Sequence, residues 1–343
     1  MCLVLYLHGG HAMFCCGQKI KMKEVHISMD LFFYTLKRIG VSIATIFLVA
    51  AITFFLMNAI PGSPFMTEKS TPQQIELANA KYGLDKPVAV QFVNYVKNLL
   101  KGDMGTSLKM QQDTAVTTIL FGQNKFWLSI RLGLMALITA VVVGIPLGCI
   151  AAYKRGKWID SILRVLTTLG IAMPTFVFAT LMLFGFGVHL KILPVQSGSL
   201  ETAASHVMPV LTMSFYPACY IAKLTRTSML DALSQDYIRT ARAKGLKTKW
   251  ILFKHALRNS LIPVITYLGP LTAGIITGSL VVEQLYNIPG IGSYFVSSIL
   301  NRDYPIIMGT TILLACLIVF MNLVVDVAYK IVDPRINITK KGK

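Results

Sequence analysis

The chain has 343 residues, of which 54% are hydrophobic and only 14% are charged. Its mean hydropathy of +0.62 excludes an ordinary water-soluble domain and an intrinsically disordered chain. The few charges are unbalanced, because 33 Lys and Arg stand against 15 Asp and Glu and give a net charge of +18. A nucleic-acid-binding domain does not need so much apolar surface, so the composition indicates a membrane protein with basic loops.

Stretches of about 20 residues without Asp, Glu, Lys or Arg have the length that a helix needs to cross the hydrocarbon core of a bilayer. They predict an all-α integral membrane fold with six transmembrane helices: Ile39–Ile60, Leu132–Ala152, Val165–Leu190, Thr202–Ala222, Asn259–Val282 and Pro305–Val325. Prolines within the second to fifth stretches indicate kinked helices that pack against neighbours, which re-satisfy the freed backbone groups.

The basic residues orient the spans. With the N-terminus inside, 23 of the 33 Lys and Arg fall in the inner segments 1–38, 153–164, 223–258 and 330–343. Lys154, Arg155 and Lys157 crowd one short inner turn, whereas the outer segment 188–206 holds only Lys191. The positive-inside rule therefore places both termini in the cytoplasm of a multi-pass protein surrounded by membrane lipid.

The N-terminal segment 1–28 has a short apolar run, but no basic residues before it and no A-x-A cleavage site, so it is not a typical signal peptide. Met29 leads directly into the first span. We expect 1–28 to be a leader that precedes the native start at Met29. The predicted organisation is then a first span within 29–60, an extracytoplasmic loop over 61–127, a transmembrane core over 128–330 and a cytoplasmic tail over 331–343.

The long outer loop is predicted to contain two short helices, Thr71–Tyr82 and Val88–Leu100. Thr71 and Pro72 are typical of a helix start, and Gly83 is typical of a left-handed helix end. Two interpretations stay open: a small cap packed on the bundle, or a docking surface for an external partner.

The inner loop 223–258 carries nine basic residues but is not a featureless charge run. Ser234 or Asp236 is predicted to cap a helix over Tyr237–Lys244, which Gly245 ends because glycine accepts a positive φ. Thr248 is predicted to cap a second helix that runs to Arg258. Such a hairpin could offer a rigid knob to a soluble partner; alternatively, it is an ordinary positive-inside loop with interfacial helices.

Two pieces of this loop, 236–245 and 255–259, resemble the EAA-type coupling loop of ABC importer permeases. Arg239, Thr240 and Ala241 stand where the family has its name-giving residues, and this variant is similar to the peptide and nickel branch. By this resemblance the ATPase-coupling residues are Asp236, Arg239, Thr240, Ala241, Ala243, Gly245 and His255.

Further motifs resemble the same branch and occur in the same order over about residues 29–336. They are Ile60–Pro64, Tyr82–Pro87, Gly102–Ser107, Gly144–Gly148, Val282-Glu283 with Pro289–Gly292, Arg302–Pro305 and Asp333–Arg335. The likeness is to the first of the two permease subunits of oligopeptide and dipeptide importers.

The resemblance implies a type I ABC importer permease fold and a division of labour. A second permease subunit completes the channel, two cytoplasmic ATPases bind ATP and Mg, and an extracytoplasmic peptide-binding protein delivers the cargo. The chain itself lacks the G-x-x-x-x-G-K-[ST] motif, so we expect no cofactor and no catalytic residue on it. Nickel or another metal chelate is the alternative cargo. An ATPase-independent channel or secondary carrier is the alternative class, and it would favour intramembrane acids or an inverted repeat.

Isolated polar residues give weaker signals. Glu283, just outside the fifth predicted span, is a weak candidate for contact with substrate, or else a solvated cap. Asp326 is placed to pair with Lys330 at i,i+4. His189, His206 and His255 are scattered over different segments, so no metal site is predicted.

Overall fold

The computed structural model describes residues 16–60, 64–65, 71–195, 198, 200–247, 250–276 and 280–332, apart from the side chains of 16–35, 273, 276 and 325–332. The chain divides into two compact units, residues 1–47 and 48–343. The described part of the chain is helical, and its only β-type pairing is an isolated bridge between Thr106 and Ala115.

Twelve α-helices follow one another in the described part of the chain. They are α1 (Cys16–Ala59), α2 (Pro72–Tyr82), α3 (Val88–Leu100), α4 (Lys125–Tyr153), α5 (Trp158–Ala172), α6 (Thr175–Met182), α7 (Ala203–Leu233), α8 (Asp236–Ala243), α9 (Leu257–Ile276), α10 (Leu280–Leu285), α11 (Ile291–Asn301) and α12 (Tyr304–Val332). Three π-helical segments accompany them, at Thr118–Gly122, Leu183–His189 and Ile251–Ala256.

Four helical stretches are long and apolar enough to cross a membrane, namely Leu36–Ala59, Lys125–Tyr153, Ala203–Leu233 and Tyr304–Val324. They contain the first, second, fourth and sixth predicted spans almost completely. Only the terminal residues Ile60, Thr202 and Val325 of those predicted spans fall outside them. Helix α9 covers most of the fifth, and residues 277–279 lie outside the described part of the chain. The model thus confirms an all-helical fold with several apolar helices.

The third predicted span, Val165–Leu190, is not one straight helix. It is broken between α5 and α6, and α5 and the stretch Thr175–His189 are bent by 106° relative to each other. The cause is Pro174, which lacks a backbone N–H and disfavours helical geometry at the residue before it. Met173 accordingly adopts an extended conformation with φ −77° and ψ 123°.

The outer helices match their predicted bounds closely. Thr71 caps α2 through a reciprocal capping box with Gln74, and Gly83 ends α2 with φ +68°. Asp113 lies further along the loop, and the ammonium of Lys81 lies 2.9 Å from its carboxylate. Together with a hydrogen bond from the hydroxyl of Tyr82, this ammonium holds the pKa of the Asp113 carboxyl below its usual range.

The centre of the core is a close seam between α4 and α7. Small residues recur on α4 at every fourth position, which puts them on one face: Ala136, Ala140, Gly144, Gly148 and Ala152. A methyl group added at Gly144 would lie 2.8 Å from the carbonyl oxygen of Ala218, and one added at Gly148 would lie 2.5 Å from that of Ala222. Small residues of this kind let two helices approach closely where lipid supplies no hydrophobic driving force.

A buried ion pair joins α5 and α7 at the ends that the sequence predicts to lie inside. Asp160 is 1% exposed and accepts hydrogen bonds from Nε and Nη2 of Arg226, at 2.6 and 2.9 Å. It also accepts a hydrogen bond from the backbone of Gly156, in the turn that connects α4 to α5. The carboxylate thus fixes the basic inner turn against α7.

The seam gives a direct test of this packing. We predict that Gly148→Ala lowers stability by about 1–3 kcal/mol, because the added methyl group must push α4 away from α7. The measurement is the thermal unfolding midpoint of the purified chain in mild detergent. Gly185→Ala is the control, because a methyl group there meets no atom within 4 Å. Equal midpoints for the two variants would contradict the close seam.

Candidate functional site

Residues 234–256 of the predicted inner loop connect α7 to α9, and we call them the inner hairpin. Helix α7 continues 11 residues past the predicted end of the fourth span, so the predicted loop 223–258 begins as helix. The predicted caps of α8 are wrong. Ser234 ends α7, and Gln235 precedes α8 without a side-chain hydrogen bond to it.

The turn after α8 is the one that the sequence predicts. Gly245 has φ +73°, and a methyl group added there meets no atom within 4 Å. Glycine therefore suits this position because the backbone is left-handed there, and not because a larger side chain would meet its neighbours. Thr248 and Lys249 lie outside the described residues, and the chain re-enters helix as the π-helical segment Ile251–Ala256, which leads into α9.

One side of the hairpin is buried against the membrane-spanning helices. Ile238 and Ala241 of α8 pack with Ile251 and Leu252 of the π-helical segment. The same cluster includes Met229, Ala232, Ala152 and Ala256, which bring in the ends of α4 and α7. The described residues on this side of the hairpin are therefore part of the core and pack with the ends of α4 and α7.

A polar contact fixes the hairpin to the next helix. The side-chain amide of Asn259, at the start of α9, donates a hydrogen bond of 3.0 Å to the hydroxyl of Tyr237 in α8. The two ends of the hairpin are thereby held together across 22 residues of sequence.

The predicted coupling residues divide between the two sides of the hairpin. Ala241 is buried in the cluster, and His255 is half-buried. The others are exposed on the outside of the hairpin: Asp236, Arg239, Thr240, Ala243 and Gly245. Asp236 and Arg239 form an ion pair of 3.4 Å on this free surface, where such a pair contributes little to stability.

The free surface of the hairpin is basic and partly aromatic. Arg242, Lys244 and Lys247 are exposed next to the residues named above. Trp250 and Phe253 are 54% and 65% exposed, and the ammonium of Lys254 lies 4.8 Å from the Trp250 ring. Beside this surface a cavity of about 390 Å³ lies between the ends of α4 and α7, with Arg155 and Arg242 in its wall. Exposed aromatic and arginine side chains beside a cavity are typical of a protein-binding surface.

Glu283, the candidate substrate contact, is fully buried. Its carboxylate accepts hydrogen bonds from the Ser129 hydroxyl at 2.8 Å and from the Ser293 backbone at 3.1 Å. The interpretation as a solvated cap is therefore wrong, because Glu283 holds the turn before α11 against α4. The side chains of Asp326 and Lys330 lie outside the described part of the chain.

Asp303 is a structural anchor that the sequence did not reveal as such. It is fully buried and accepts hydrogen bonds from the Ser107 hydroxyl and from the backbone of Leu108, Lys109 and Met110 at 2.6–3.1 Å. This carboxylate fixes the outer loop to the junction of α11 and α12. The motif Arg302–Pro305 contains it, but a sequence motif alone does not say which donors an acid will meet.

The sequence and the fold both match known transport proteins. Residues 144–338 match the family described as binding-protein-dependent transport system inner membrane component, and residues 31–127 match its N-terminal domain. The chain belongs to this family. It is a multi-pass permease of the inner membrane.

Relatives of the permease can be aligned with it over nearly their whole length. The dipeptide transport system permease protein DppB of Bacillus subtilis is 44% identical over 90% of this chain and 99% of its own. The oligopeptide transport system permease protein OppB of Haemophilus influenzae is 41% identical over 88% of this chain and 98% of its own.

A solved structure matches the fold of the permease. A chain of the MetNI methionine ABC transporter, in an inward-facing conformation, covers 62% of this chain and 95% of its own with a TM-score of 0.51. At 17% identity this match concerns the fold alone, and it confirms the type I ABC importer permease fold.

The anchor at Asp303 predicts how the outer loop responds to mutation. We expect Asp303→Ala to destabilise the permease by about 3 kcal/mol, because buried donors lose their charged acceptor. Limited proteolysis should then cleave the loop around residues 103–113 faster than in the wild type. Asp85→Ala, at an exposed position of the same loop, is the matched control. Equal cleavage rates in both variants would refute the anchor.

Proposed function

We propose that the permease carries peptides, dipeptides or oligopeptides, across the cytoplasmic membrane as part of an ATP-driven importer. Support comes from relatives that cover nearly the whole chain, which are named as dipeptide and oligopeptide permeases. The observation that carries the mechanism is the inner hairpin, because its buried side is continuous with the core and its exposed side is free.

The proposed topology has six spans with both termini in the cytoplasm. Four helices in the described part of the chain are long and apolar enough to span the membrane. The bent pair formed by α5 and the stretch Thr175–His189 adds a fifth span, and α9 supplies the sixth. The positive-inside count supports this orientation and puts the inner hairpin on the cytoplasmic side. Glu283 and Asp303 then lie near the opposite side.

The proposed assembly contains three kinds of partner. A second permease subunit completes the path, two cytoplasmic ATPase subunits bind ATP and Mg, and an extracytoplasmic peptide-binding protein delivers the cargo. This chain then needs no nucleotide site and no catalytic residue of its own. The exposed hairpin residues, Asp236, Arg239, Thr240, Ala243 and Gly245, would face the ATPase, while Ala241 and His255 support the hairpin from behind.

The hairpin is well placed to transmit motion. When the ATPases close on ATP, they displace the hairpin, and its buried cluster moves the ends of α4, α7 and α9 with it. The bundle then changes between inward-open and outward-open states. The equilibrium shifts toward the state to which the ATPases bind more tightly.

Uptake into vesicles tests the proposal. The full complex is purified through a tag on this chain and reconstituted with ATP inside and the binding protein outside. We expect ATP-dependent accumulation of a radiolabelled dipeptide or tetrapeptide. Uptake of a nickel chelate in place of both peptides would contradict the peptide cargo. Transport by the chain alone without ATP would contradict the ATPase-driven class.

The hairpin turn gives a sharper test of coupling. We predict that Gly245→Glu lowers ATP-driven uptake at least tenfold, because a side chain at φ +73° costs about 1–2 kcal/mol and the carboxylate alters a basic docking face. The amount of permease in the membrane should not change. Gly83→Glu is the matched control, since Gly83 has φ +68° and equally open surroundings but ends a helix of the outer loop. Normal uptake by Gly245→Glu would refute the role of the hairpin.

A further inference from the structure

The exposed face of α7 differs from the exposed faces of its neighbours. On α4 and α5 the most exposed residues within the membrane are apolar, as at Val142 and Val165. On α7 one stripe at three- and four-residue spacing is exposed or half-exposed and is aromatic or polar throughout: Tyr216, Tyr220, Lys223, Thr227 and Asp231. Tyr216 and Tyr220 lie within the predicted fourth span, where such a stripe does not suit contact with lipid, and its other three residues continue it past the predicted inner end of that span.

Helix α9 presents a similar stripe next to α7. Its exposed residues at this spacing are Asn259, Pro263, Thr266 and Pro270. Tyr267 lies beside them, and its ring stacks on that of Tyr220 with 4.1 Å between centroids. Tyr216 continues the series, at 6.3 Å from Tyr220. We call Tyr216, Tyr220 and Tyr267 the tyrosine ladder.

The tyrosine ladder lies within the predicted fourth and fifth spans, toward their inner ends. Tyr220 is two residues from the predicted inner end of the fourth span, and Tyr267 is eight residues, about 12 Å along a helix, from that of the fifth. Tyrosines of membrane proteins prefer the two interfaces, where the hydroxyl reaches water. The three rings also stack on one another across two helices, so they form one continuous aromatic surface that leads toward the inner hairpin.

The hydroxyls of the ladder have no internal partners. Within the described residues none of the three phenol oxygens takes part in a hydrogen bond. An unpaired hydroxyl is unfavourable in hydrocarbon, so these hydroxyls suit a water-filled path or a polar ligand better than lipid.

The polar surface continues from the ladder to the inner face. A cavity of about 340 Å³ lies between α7, α8 and α9, and Asp231, Tyr237 and Asn259 help to line it. Lys223 and Asp231 are exposed on the same stripe of α7, and neither has an ion-pair partner within the described residues. One free cation and one free anion complement the two charged ends of a peptide.

We propose that the groove between α7 and α9 lines the transport path and that the tyrosine ladder contacts the peptide in transit. The rings stack on side chains and on the peptide backbone, which tolerates many sequences, and Lys223 and Asp231 attract the two termini. This inference rests on the proposed function and adds to it the residues that meet the cargo.

The test uses the reconstituted full complex and two measurements. A tripeptide that carries a photoreactive diazirine is added during ATP-driven uptake, and its cross-links are mapped by mass spectrometry. In parallel, KM for the tripeptide is measured for Tyr220→Ala, Tyr267→Ala and Tyr220→Phe. Leu211→Ala is the control, because Leu211 is exposed on α7 about 140° away from the stripe.

We expect cross-links on α7 and α9 near the ladder and a KM about three- to tenfold higher in both alanine variants. Tyr220→Phe and Leu211→Ala should stay within about twofold of the wild type. If an alanine variant fails to assemble, the cross-links in the wild type still decide the matter. Uptake with unchanged KM and with cross-links only outside α7 and α9 would overturn the role of the ladder alone. Absence of peptide uptake by the wild-type complex would overturn the proposed function itself.

Discussion

The structure depends on how closely α4 approaches α7. Lipid offers helices no hydrophobic reason to associate, so close van der Waals packing must hold the bundle together. Small residues at every fourth position of α4 allow that packing, and at Gly148 there is no room for even one methyl group. Because α7 is held there, the inner end of α4 also joins the cluster that supports the inner hairpin.

The same helix has two other surfaces with different chemistry. Its inner end carries Arg226, whose contact with Asp160 fixes the basic turn after α4. Its exposed stripe carries tyrosines, and two charges that have no ion-pair partner among the described residues, where α4 and α5 expose valine and isoleucine. Helix α7 thus links the packing of the core, the hairpin that we propose as the ATPase contact and the groove that we propose as the path. We propose that a motion imposed on the hairpin reaches the groove through α7, which contributes to both.

The sequence predicted those features that depend on local chemistry. Span positions followed from charge and hydropathy, and the ends of α2 followed from Thr71 and Gly83. It failed where distant segments decide the outcome. Pro174 was predicted to kink one continuous span, but it separates two helices that are bent by 106°. One interpretation of Glu283 was a solvated cap, but the start of α11 packs against it and donates a hydrogen bond to its carboxylate. Likewise, nothing local to Asp303 shows that its donors lie almost 200 residues earlier in the chain.

We propose that the exposed face of the inner hairpin receives an ATP-hydrolysing subunit. A cysteine in place of Thr240, which is exposed, allows a direct measurement by short-range cross-linking in the purified complex. We expect a cross-link to an ATPase subunit, with a yield that changes when ATP is added. A complex that transports peptide with ATP but forms no such cross-link from position 240 or from its neighbour Lys244 would contradict it.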